Sequence, residues 1–96
     1  MKLKDIISIS PSVLEAILLL EVKKIPGLGA ENIKAIKVDD KDCSITISIT
    51  PFSMLTNIHA LAIEIQQAIN FYLIHQFDVN EGDIKINVIV LAGEKE

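Results

Sequence analysis

The stretch LTNIHALAIEIQQAINFYLIHQF, residues Leu55 to Phe77, carries a single charge, Glu64. A helix lying on a protein surface normally turns a charged face to water. A segment this long and this apolar must therefore find cover on more than one side, and that requirement shapes every other reading of the chain. The chain has 96 residues, room for one domain with a modest core. Half of its residues are hydrophobic and 23% are charged, a globular composition. Its mean hydropathy of +0.44 is high, so the apolar excess belongs to a full core, an interface, or both.

Spaced at about 100° per residue, Leu55, Ile58, Ala62, Ile65, Ile69, Tyr72 and Gln76 form the expected core stripe, flanked by Leu61, Ala68 and Leu73. The opposite side is the informative one. Relative to Ile58, Ile63 falls at about 140°, Ile74 at about 160°, Gln67 at about 180°, Ala60 at about 200°, Phe71 at about 220° and Glu64 at about 240°. Three large apolar side chains within three turns mark an interaction site more readily than a scatter of exposed residues. The expected protein interface is therefore Ile63, Gln67, Phe71 and Ile74.

The rest of the chain supplies a sheet for this helix. Ser10 suits an N-cap and Pro11 a first helical position, so SPSVLEAILLLEVKK predicts a helix. Ser12 with Glu15 offers an alternative capping box, and Lys23 and Lys24 suit the last turn. The run Ile17 to Leu20 goes most of the way round, which predicts a largely buried helix. Pro26-Gly27 then suits a type II turn. IKAIKV and CSITISIT read as a hairpin joined by DDKD, with Ile45, Ile47 and Ile49 on the buried face. The long helix is expected from about Ser53 to about Gln76, IKINVIVL as the last strand, and residues 92–96 as a short polar tail.

The expected fold class is α+β: one domain over residues 1–96, a two-layer sandwich with two helices on one face of a small three- to four-stranded, mostly antiparallel sheet. The element order is (β)αββαβ, because DIISIS is only a weak strand signal; if that strand forms, the order is ferredoxin-like.

Chemistry is sparse. His59 and His75 are sixteen residues apart on one helix, about 24 Å along its axis, and point to different sides. No nucleophile–base pairing, zinc-ligand spacing or phosphate-binding loop occurs. The aspartates of DDKD lack the glycine and distal glutamate of a calcium loop and read as a turn. The expectation is no enzyme, no catalytic residue, no metal and no cofactor. A net charge of −4 without arginine argues against nucleic acid as partner. Lys23, Lys24, Lys34 and Lys37 still leave an alternative: a small ligand- or RNA-binding module built around IPGLG. The lone Cys43 fits a reducing compartment, MKLKDIISIS is too short and polar for a signal peptide, and no membrane-spanning stretch is present.

Four segments resemble the alkaline shock protein family, the Gls-type general stress proteins. ISPSVLEAI is similar to the opening of the family's first helix, and VKKIPGL to its end. NIHALAIEIQQAI places Ile58, Ala62, Ile65, Gln66 and Ile69 in the family register, and DIKINVIV resembles its closing strand, with Asn87 at the polar position. The family often has Tyr-Gly before the long helix, where this chain has PFSM. The resemblance implies a non-enzymatic, cytoplasmic protein of the envelope or alkaline stress response. It further implies a self-associating scaffold or adaptor, as a homo-oligomer or on a membrane-anchored protein partner that holds it at the membrane periphery.

Overall fold

The computed structural model describes residues 7–26, 28, 30–50 and 58–91. Helix α1 spans Pro11–Val22, a short 3₁₀ turn Ala30–Asn32, strand β1 Ile33–Asp39, strand β2 Ser44–Ile49, helix α2 Ile58–Phe77 and strand β3 Lys85–Val90. The two helices and the three-stranded sheet make the α+β architecture expected from the sequence. The polypeptide before residue 7, Gly27 of the Pro26–Gly27 turn, residues 51–57 with the PFSM segment and the expected start of the long helix, and the tail 92–96 lie outside the described residues.

Helix α1 begins as its sequence dictates. Ser10 is the N-cap, its hydroxyl accepting from the Val13 amide at 3.3 Å, and Pro11 fills the first helical position, where a missing N–H costs nothing. Ser12 and Glu15 do not form a capping box. The Glu15 carboxylate instead reaches across to accept from the Val38 amide of β1 at 2.9 Å. The helix ends at Val22, so Lys23 is its C-cap and Lys24 lies beyond it, bridged to Glu21 at 3.1 Å.

β1 and β2 pair antiparallel, with a register irregularity between Ile33 and Ala35. Asp39 closes the hairpin, its Oδ1 accepting from the amides of Lys41 and Asp42 at 3.0 and 3.1 Å. Cys43 belongs to this turn and not to the strand: it takes a left-handed φ of 52°. At the other end Asn32, a buried polar residue, donates from Nδ2 to the Thr50 carbonyl at 2.9 Å, while the Thr50 amide donates to the Asn32 carbonyl at 2.8 Å.

β2 is the middle strand, and β3 pairs with its other side in parallel. The sheet is thus mixed, one antiparallel and one parallel pair. Direct hydrogen bonding of β2 to β3 also excludes the ferredoxin-like order, whose split βαβ unit needs another strand between two such partners. Residues 7–10, the described part of the weak N-terminal signal, are not strand.

The core lies between sheet and helices. Ile45, Ile47 and Ile49 are fully buried on the central strand, as their alternation predicts. They meet Leu14, Leu18 and Val22 of α1 and Leu61, Ile65, Ile69 and Leu73 of α2 within one apolar cluster. The α2 row is centred where the sequence places it, with three corrections: Ala62 and Tyr72 are half-buried, and Gln76 is exposed near the end of the helix; Leu55 and the side chain of Ile58 lie outside the described residues. α1 is less buried than its composition suggests. Val13, Ala16 and Leu20 are exposed, Leu20 to 60%, because the sheet covers one side of the helical layer and no third layer lies outside it among the described residues.

Candidate functional site

The four residues expected at an interface all lie on the described part of α2, turned away from the core row. Phe71 is 65% exposed and Ile63 39%; Gln67 is exposed and Ile74 half-buried. Glu64, also exposed, is the only charged side chain in α2 apart from histidine. The rings of Phe71 and His75 stack at 4.1 Å between centroids, inclined by 44°, so Phe71 is held in place by its own helix while most of it faces out.

Beside this stack the two helices leave a groove of about 490 Å³. Its walls are Ala68, Phe71 and Tyr72 from α2 and Ile25 and Pro26 from the turn after α1, with the Glu21–Lys24 ion pair and His75 at the margin. An apolar floor with a few polar groups around it suits an inserted side chain.

α1 is also exposed on one side, which its sequence pattern does not predict. Its Val13 and Leu20 are exposed, on the side of α1 opposite the buried Leu14, Leu18 and Val22. The available signal was the apolar run itself: a helix hydrophobic nearly all round must either be enclosed or offer its outer side to a partner. Also missed were Ile89 and Leu91, exposed to 46% and 39%.

Among the described residues the histidines and the cysteine are not brought together. His59 and His75 are both exposed on α2, while Cys43 is buried in the hairpin turn. Among the described residues no three His, Cys, Asp or Glu side chains are placed to hold a metal ion. Lys23, Lys34 and Lys37 are exposed, Lys24 is paired with Glu21, and Gly27 and Gly29 of the IPGLG segment lie outside the described residues. No helix among the described residues is long and apolar enough to cross a membrane. Searches of protein-family models, curated proteins and solved structures find no match to this chain.

Proposed function

We propose that the chain is a non-enzymatic interaction module, a scaffold or adaptor that assembles through the outer side of its helical layer. The observation that carries this reading is Phe71: a large aromatic side chain 65% exposed, fixed against His75, on a helix with one carboxylate and no lysine. Fully burying a side chain of this size is worth about 1.5–3 kcal/mol, and Ile63 on α2 and Val13 and Leu20 on α1 are exposed as well. Exposed aromatic anchors next to a groove are the usual centre of an interface.

The resemblance of ISPSVLEAI, VKKIPGL, NIHALAIEIQQAI and DIKINVIV to the alkaline shock protein family directs the reading further. It favours a role in envelope or alkaline stress, at the cytoplasmic face of the membrane, on copies of the chain or on a membrane-anchored protein. No residue arrangement among those described favours the ligand- or RNA-binding alternative.

The test is Phe71→Glu. The side chain is mostly solvated, so the variant should keep the far-ultraviolet circular dichroism and melting temperature of the wild type. It should form smaller assemblies in light scattering. An unchanged mass would remove the support for this face as an interface.

A further inference from the structure

The sheet has two free edges among the described residues, and they are built differently. β1 is protected. Lys34 and Lys37 are exposed on it, its register is broken between Ile33 and Ala35, and Glu15 occupies the Val38 amide. These are the devices that keep a strand edge from pairing with another chain.

β3 has almost none of them. No charged residue occurs from Ile86 to Leu91. The Lys85 amide donates to the Cys43 carbonyl and the Leu91 amide to the Ile49 carbonyl, so the odd-numbered residues turn their backbone groups toward β2. By the alternation of a strand, Ile86, Val88 and Val90 turn theirs to the free edge. Gln66 of α2 donates from Nε2 to the Ile86 carbonyl at 3.0 Å and closes the first of these positions. Among the described residues nothing takes up the outward backbone groups of Val88 and Val90. Ile89 and Leu91 stand exposed on the side of the sheet away from the helices, and Val88 and Val90 are half-buried on the side toward them.

We propose that the free edge of β3 pairs with β3 of a second copy, antiparallel about a twofold axis at Ile89. That register sets Val88 opposite Val90 of the second copy and Val90 opposite Val88, so outward-facing residues meet outward-facing residues. Each such pair exchanges both of its N–H···O bonds. It leaves Gln66 on Ile86. Ile89 meets Ile89 of the second copy in a close, non-hydrogen-bonded pair, and Leu91 lies opposite Asn87. Ile89, exposed on one copy, is thereby covered by Ile89 of the other, and Leu91 by Asn87. A second copy is the fitting occupant because the strand is its own complement: pairing brings no two like charges face to face, and the chain's net charge of −4 is carried elsewhere. This surface is separate from the α2 face, and the two together let a chain assemble beyond a dimer.

Sedimentation equilibrium on the full chain tests it, in a Phe71→Glu background that disables the helical face. The background variant should be a dimer at micromolar to millimolar concentration. Adding Ile89→Lys puts two ammonium groups together on the axis and should raise the dissociation constant by more than about tenfold, leaving monomer. Ile89 is exposed at a sheet surface, so the substitution should not unfold the chain, and circular dichroism checks this. Mixing Ile89→Lys chains with Ile89→Glu chains should restore a dimer, because position 89 faces itself. A monomeric Phe71→Glu chain, or an Ile89→Lys chain that stays dimeric, would overturn the proposal. If only the helical face is not an interface, wild type and Phe71→Glu are both dimers, and Ile89→Lys still yields monomer.

Discussion

Glu15 shows how much a single side chain decides. Its carboxylate accepts from the Val38 amide across 23 positions of sequence, tying α1 to the edge of β1. A hydrogen bond to a charged group is worth about 1.5–3 kcal/mol, and an unsatisfied half-buried amide costs a similar amount. Glu15→Ala should therefore lower stability by about 1–3 kcal/mol in urea titration, and Glu15→Gln, which keeps an acceptor, should lose less. The backbone has its own such residue. Gly82 sits at φ +90° in the connection to β3, with open space where a Cβ would stand. Gly82→Ala should cost about 1 kcal/mol through backbone strain alone, seen as a lowered melting temperature without a change in fold. The bonds of Glu15, Asn32 and Gln66 were not legible in the sequence, because each joins elements far apart in the chain and depends on how the layers stack. The cap at Ser10 and the Asp39 turn were legible, because their partners are two or three residues away.

At the scale of elements, β2 is the part the sequence determines most tightly. Its isoleucines alternate with serine and threonine, a one-residue slip would put them all in water, and they are fully buried. Ile47→Ala should cost about 2–5 kcal/mol by chemical denaturation, since the methyl groups lost leave a cavity between sheet and helices. The core row of α2 is set by its 3.6-residue period in the same way. Strand order is another matter. Nothing in CSITISIT or IKINVIVL says whether the two strands are neighbours or separated; that depends on which pairing buries both apolar sets. The half-exposed outer sides of α1 and β3 were similarly hard to read. LLL and VIVL are apolar in every direction, and periodicity cannot tell a segment enclosed by its own fold from one awaiting a partner.

At the scale of the molecule, the described residues form one apolar cluster between a three-stranded sheet and two helices, with apolar side chains left exposed on both the helices and the sheet. Phe71, Ile63, Val13 and Leu20 look outward from the helices, and Ile89 and Leu91 from the outer face of the sheet at β3. A chain of 96 residues has a limited interior, and these positions are where the apolar excess of the sequence ends up. The function proposed follows from that distribution: the unfinished surfaces are completed by other protein chains. The most direct measurement is the mass of wild-type and Phe71→Glu protein by sedimentation velocity across a hundredfold range of concentration, with melting curves taken in parallel. The wild type should show a concentration-dependent assembly, and the variant a smaller, equally stable species. Equal masses for the two proteins, with the variant fully folded, would contradict this.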